Sequence, residues 1–345
     1  MANDSTLTFT DIFGEKQPRH KVMSLIEKSP LYGEWKDFSA DDRESILSFL
    51  EGSGGLQVLS DKFFQHVFRP EIYPERVESL ISAILGQKVT IVQILSREGT
   101  AITETGSLVV MDIIVKTDTG EIVTVEMQRI GYYFPGERSD CYTADMIMRQ
   151  YGMVRSEKGD SFSYKDLKPV TLIILMEKSS AEFTAVAPEY IHKKITHYSS
   201  GAKVTVLDNV TYVSLDTFKK QEHNIVDSTQ DAWLSFFTFE KPDEIMKLVH
   251  AYPEFIPLYK DIAEFRKKPE EVIGMFSEAL KIMDRNTTKY MIDDLTKQRD
   301  EAVARCDNAV AALQNSQREN DKKDKVIDEK DQLIAELQAK LAAKS

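Results

Sequence analysis

Cysteine is nearly absent from this chain: two residues, Cys141 and Cys306, among 345. A pair so sparse and so far apart excludes a disulfide framework and a cysteine-based zinc site. Free thiols fit a reducing cytoplasm. Basic residues are in deficit, with 44 Lys and Arg against 56 Asp and Glu, a net charge of −12. That deficit excludes a general nucleic-acid coat, whose affinity comes from massed cations. It leaves room for an enzyme with a local basic groove. No apolar run approaches the roughly 20 residues of a membrane helix, and the start, MANDSTLTFTD, lacks the basic and apolar regions of a signal peptide. The expectation is a soluble, cytoplasmic protein with no membrane partner.

Glycine and proline are missing altogether from 290–345, a stretch rich in Lys, Asp, Glu, Ala and Gln. Cys306, Leu313, Asn320, Ile327, Ile334 and Leu341 recur there every seven residues. This predicts a coiled-coil tail and a homodimer or higher assembly through it, with Asn320 as the polar position that fixes register. The second seam, from Leu295 to Leu337, is polar in its middle at Ser316, Lys323 and Lys330, so a solvated single helix is the other reading.

What is present elsewhere divides the rest of the chain in two. Residues 1–55 read as a helical N-terminal extension. In SADDRESILSFLEG, Ser39 is placed as an N-cap, acids fill the first turn and Gly52 follows the end. GSGG (52–55) reads as a hinge or short linker. Over 56–286 helices and strands alternate. PERVESLISAIL puts Val77, Leu80, Ile81 and Ile84 on one helical face. Strands are predicted at KVTIVQIL, PVTLIILM, KVTVL and VTYVSL, and helices at ERSDCYTADMIMRQYG, QDAWLSFFTF and PEEVIGMFSEALKIM. Trp233, Phe236 and Phe237 are expected in the core. The pattern is that of an α/β fold, a mixed sheet covered by helices.

One stretch, VVMDIIVKTDTGEIVTVEMQ (109–128), carries chemistry. It reads as two apolar strands joined by DTG. With Gly120 left-handed in a three-residue loop, Thr117 pairs with Glu121, and counting back places Asp112 opposite Glu126. Opposed side chains sit roughly 5 Å apart at Cβ, and two like charges at that distance destabilise a sheet unless a cation lies between them. A two-residue loop would instead send the two groups to opposite faces. Hard divalent ions take such carboxylate oxygens, together with water and phosphate oxygens. The bland alternative is a solvated hairpin whose acids face water.

Asp112, the following turn and the Glu126-Met127-Gln128 triplet resemble the PD-(D/E)xK nuclease superfamily. Within it they resemble the Rpn group of recombination-promoting nucleases and transposases. DKFFQHVF and ERVESLISAIL upstream, then Arg138, Tyr142, KGDSFSYKDLKPV and DAWLSFF downstream, extend the likeness over 56–286. The resemblance implies a restriction-endonuclease-like fold and a metal-dependent DNA endonuclease. Asp112 and Glu126 would be catalytic metal ligands, the Met127 backbone carbonyl a third, and Glu78 an extra acidic contributor. Mg²⁺ is the first expectation for the ion, with Ca²⁺ or Mn²⁺ as alternatives. Gln128 stands where the superfamily carries Lys; a Gln can orient water but neither carries charge nor takes a proton. That departure supports a rival reading, an inactive DNA-binding or regulatory module, while an assembly protein dominated by its tail is a third.

On the helix after the hairpin, Arg138, Tyr142, Asp145 and Arg149 form one polar stripe, and Cys141, Ala144, Met148 and Tyr151 the opposite apolar one. Arg138, Tyr142 and Arg149 are therefore candidate DNA contacts, since paired guanidinium groups hold phosphates. A solvated helix face explains the same stripe.

Overall fold

The computed structural model of the chain describes residues 7–54, 61–96, 111–128, 135–221 and 226–274, the side chains of 61–63 excepted, together with isolated positions between 299 and 338. Two compact units are present, Met1–Met283 and Asp284–Ser345.

The first unit opens with helices α1 (Phe9–Phe13), α2 (Arg19–Glu27), α3 (Tyr32–Asp37) and α4 (Ala40–Glu51). The boundaries of α4 follow from local chemistry. Ser39 Oγ accepts the Asp42 amide at its start, and Gly52, at φ +80°, closes its end. A side chain at 52 would also displace the guanidinium of Arg266, which lies where a Cβ would stand. That buried guanidinium donates to the carbonyls of Phe13 and Glu15. It thus holds the exit of α1 against the end of α4. Helices α5 (Asp61–Phe68) and α6 (Pro74–Leu85) follow, the latter burying Val77, Leu80, Ile81 and Ile84 as its periodicity predicts.

Strands β1 (Ile91–Ile94), β2 (Ile113–Thr117), β3 (Ile122–Gln128), β4 (Val170–Met176), β5 (Ile191–Lys193) and β6 (Asp208–Ser214) form one mixed sheet in the order β1-β2-β3-β4-β6-β5. β3, β4 and β6 run parallel; the other pairings are antiparallel. β3 and β4 are buried at every residue, as central parallel strands covered on both faces must be. Odd-numbered residues of β3 and β4, such as Val125, Met127 and Ile173, join the large core. That core also holds α1–α6 and the later helices α9 (Leu215–Lys219), α10 (Thr229–Thr238), α11 (Pro242–Ala251) and α12 (Ile256–Phe265). Trp233, Phe236 and Phe237 of α10 lie inside it; each such side chain contributes about 1.5–3 kcal/mol by leaving water.

Even-numbered residues face the other way, where α7 (Pro135–Lys158) crosses from β3 to β4; the short α8 (Ala181–Thr184) follows β4. α7 is fastened at two points. The Tyr212 hydroxyl of β6 lies 2.7 Å from the Pro135 carbonyl and 2.8 Å from Ser139 Oγ, and the Lys168 amide donates to Gln150 Oε1 at 2.8 Å.

One predicted strand is absent. KVTVL (203–207) alternates like a strand, but Lys203, Val204 and Thr205 are exposed, while Val206 and Leu207 are half-buried and the Leu207 carbonyl accepts the Val170 amide at 2.7 Å. The segment runs directly into β6, and the ladder with β4 begins only at Asp208, opposite Val170. PEEVIGMFSEALKIM (269–283) falls partly outside the described residues; its beginning is helical. In the second unit the described positions, among them Asn320, Ile334 and Leu337, are helical and exposed. Most of the heptad positions lie outside the described residues. Among the described residues no helix is long and apolar enough to cross a membrane.

Candidate active site

The DTG loop spans three residues, with Gly120 at φ +85° and the Thr117 amide donating to the Glu121 carbonyl at 2.9 Å. Only a residue without Cβ takes that conformation at little cost. The register then runs from Lys116–Ile122 to Ile113–Val125, and the next pair is Asp112 and Glu126. Their carboxylates cross-brace the end of the hairpin. The Asp112 amide donates to Glu126 Oε1 at 3.1 Å, and the Met127 amide to Asp112 Oδ2 at 2.8 Å. Because N–H and C=O of one strand residue point the same way, the Met127 carbonyl is directed to the side on which Asp112 lies.

Two more side chains hold the pair. Gln65 Nε2 of α5 donates to Asp112 Oδ1 at 3.0 Å. Thr124 Oγ1, bonded to the Ile113 carbonyl at 2.6 Å, stands 3.3 Å from Glu126 Oε1. Neither was singled out by sequence reasoning. Thr124 was legible as the polar, β-branched residue two positions before Glu126; Gln65 left only the signal of an amide among the phenylalanines of DKFFQHVF.

Glu126 is 5 % exposed. Burial, and next the negative charge of Asp112, push its carboxyl well above the usual range; the Asp112 amide, the positive charge of Arg138 and the Thr124 hydroxyl pull the other way. Glu126 and Gln128 line a cavity of about 10 Å³ with Arg138, Ser139, Tyr142 and Ile174, close to the space one water needs. Arg138 Nη2 donates to the Tyr142 hydroxyl at 2.8 Å, which aims the guanidinium along α7.

Here α7 reverses the expected polarity. Its polar stripe lies against the sheet: Tyr142 and Asp145 are buried, and Cys141, Ala144 and Met148 are exposed. The reason is the surface it covers. Even-numbered β3 residues present Thr124, Glu126 and Gln128, which need polar neighbours once water is removed. Arg149 is likewise turned inward, bonded to Asp145 Oδ2 at 2.7 Å and to the Ser96 carbonyl at 2.6 Å. It is thereby committed to the protein rather than open to phosphate, unlike the expectation for it. Glu78 is not brought to the pair: its carboxylate accepts the Ile91 amide at 2.7 Å and secures the start of β1. Among the described residues no group of three or more His, Cys, Asp or Glu side chains is placed to hold an ion.

A family model described as PD-(D/E)XK nuclease family transposase matches residues 59–303, more than half of the chain. The chain belongs to this family. Comparison with curated proteins and with solved structures returns no match. The mixed six-stranded sheet flanked by helices is consistent with the PD-(D/E)XK fold. Nucleases of this family generally use divalent metals. The donor chemistry at Asp112 and Glu126 fits such an ion: two hard carboxylates are held together against their mutual repulsion, and Mg²⁺ needs only one or two of them beside water and substrate oxygens.

The metal-free protein is expected to lose stability as pH rises. Glu126 keeps its proton in the folded state at a pH where the unfolded chain, near the ordinary value of 4.5, has released it. The folded state therefore binds more protons, and stability falls from about that pH upward through the raised folded value. In chelator, the melting-temperature gap between Glu126→Gln and the wild type should widen with pH and then level off. A constant gap would show that Glu126 does not carry this burden.

Proposed function

We propose that the protein is a divalent-metal-dependent DNA endonuclease. The observation that carries this reading is the opposed pair of half-buried Asp112 and buried Glu126, with Gln128 and Arg138 lining the cavity beside Glu126. Asp112 and Glu126 would hold the ion, with the Met127 carbonyl on the same side. When bound, a divalent ion supplies Lewis acidity, offsetting phosphate charge and making water more acidic. The chain's own groups do the rest. Gln128 orients the attacking water through its amide, Arg138 faces the charge on the phosphodiester, and Tyr142 fixes the direction of Arg138. Thr124 and Gln65 hold the two carboxylates at their spacing.

The second reading, a non-catalytic DNA-binding or regulatory module, is favoured by one feature, the amide at Gln128 where the superfamily carries Lys. Nicking of supercoiled plasmid by the purified full chain in a series of Mg²⁺, Mn²⁺ and Ca²⁺ separates the two. The expected result is nicking that chelator abolishes; binding without nicking under every ion would select the second reading. Gln128→Lys should retain cleavage within about tenfold, because the added cation faces Glu126 and stands where Lys serves in the superfamily. Its complete loss of activity would mean that the Gln amide performs a task a charge cannot.

A further inference from the structure

α7 spends its polar stripe on the active site and leaves Cys141, Ala144 and Met148 of its apolar stripe in solvent, with Tyr151 half-buried beside Phe162 and Tyr164. Met148 is 60 % exposed, and Cys141 and Ala144 beside it are exposed too. With Tyr151 these residues are spaced by three, four and three, the alternation of a two-helix seam. The seam continues at both ends in charge. Glu137 extends it toward the N-terminus, with Asp140 alongside; Arg155 and Lys158 extend it toward the C-terminus. All four charged residues are exposed.

This pattern reads the same when reversed with opposite sign. Laid antiparallel on a copy of itself about a centre between Ile147 and Met148, Glu137 meets Lys158 and Asp140 meets Arg155. Ala144 meets Tyr151, a small residue against a large one, and Met148 meets Ile147 of the partner subunit, next to the partner's Met148. A two-fold interface requires such self-complementarity: each contact must be made twice with the two chains exchanged. A parallel arrangement would set acid against acid and base against base.

We propose that the exposed seam of α7 is the docking surface for a second copy of this chain, packed antiparallel across a two-fold axis. Apolar contact at Cys141, Ala144, Met148 and Tyr151 supplies the attraction. The charged ends act mainly by selecting direction and register, since ion pairs at a rim add little affinity. Three of those charges now have partners within the chain: Asp140 with Lys194 at 2.8 Å, Lys158 with Asp166 at 2.7 Å, and Arg155 with the Tyr151 hydroxyl at 2.7 Å. Docking exchanges or shares these contacts and buries no charge unpaired. Arg138 lies near one end of α7, so the axis would set two Arg138 residues roughly 30 Å apart along the helix direction at 1.5 Å per residue.

Sedimentation velocity and light scattering on the full chain test this. The wild type should be dimeric at micromolar concentration, and Met148→Glu should weaken association at least tenfold with an unchanged circular dichroism spectrum. The charge-reversed pair Glu137→Lys with Asp140→Lys should weaken association, and so should Arg155→Glu with Lys158→Glu. Mixing those two variants one to one should restore a dimer, because every rim contact then joins opposite charges. The rescue also shows that both variants are folded. A monomeric wild type would overturn the proposal. So would association untouched by Met148→Glu, which would assign it to the second unit or another surface, or a mixture that stays monomeric.

Discussion

Glu126→Gln is expected to abolish metal-dependent cleavage and at the same time to raise the melting temperature of the metal-free protein. Both effects follow from one feature. The carboxylate is buried, and Asp112 stands opposite it, so its charge is unfavourable in the absence of a cation. The bonds it accepts from the Asp112 amide and Thr124 converge on Oε1, and the carbonyl of a glutamine can keep them. The substitution therefore removes the repulsion and leaves the bracing. Ion binding loses one of its two carboxylates, and cleavage should fall by about 10²- to 10³-fold or more, the several kcal/mol that a metal's charge stabilisation contributes. Asp112→Asn should lose cleavage equally but change stability little, because Gln65 can turn its amide to face the new NH₂ while Met127 keeps its acceptor. Plasmid nicking and thermal unfolding of the purified variants decide both points. Wild-type cleavage by either variant removes the pair from the reaction. A lowered melting temperature for Glu126→Gln would contradict the account of its burial.

Arg138→Ala carries the second large expected effect, a fall of about 10²-fold in the cleavage rate of DNA already bound. Its guanidinium lines the cavity with Glu126 and Gln128, and its positive charge lowers the Glu126 proton affinity. A preorganised cation in a dry site acts far more strongly than one in solvent. Two roles for Arg138 then make different predictions. A contact to the DNA backbone alone would weaken binding and reduce the salt slope by about one ion, leaving the rate at saturating DNA intact. A group facing the reacting phosphate would lower that saturated rate, and Arg138→Lys would restore part of it. An unchanged rate at saturating DNA would return Arg138 to the binding role. Tyr142→Phe should follow Arg138→Ala in direction with a smaller effect, since it removes only the hydroxyl that aims the guanidinium.

The hairpin was the most legible part of the molecule because its information is local. A three-residue loop with glycine in its last place sets the pairing, and the pairing sets which side chains meet. The ends of α4 were legible for the same reason, through Ser39 and Gly52. Sequence reasoning faltered where tertiary context decides. KVTVL alternates convincingly, yet a strand exists only where a neighbour pairs with it, and the ladder with β4 begins only at Asp208. The orientation of α7 was harder still. Apolar residues on a helix ordinarily face the core, but the sheet beneath α7 sets Glu126 and Gln128 among apolar residues such as Ile122, Leu172 and Ile174. Knowing that required Glu126, Gln128 and α7 to be in place together. Gln65 reaches Asp112 across 47 positions of sequence, and no pattern within either segment announces the contact.

Arg266 has a consequence for the order in which the chain can mature on the ribosome. The helices synthesised first, α1 and α4, end in carbonyls and a glycine pocket that the guanidinium of Arg266 closes. That side chain emerges some 250 residues later, after the whole sheet. Until then the N-terminal helices have neither their closing donor nor the α12 surface on which α1 packs. They are translated first but completed last. A nascent chain halted within the sheet would expose Ile12 and Phe13, which the finished protein buries, and would offer them to chaperones or to other unfinished chains. The exit of α1 is thus sealed by a residue 253 positions further along the chain.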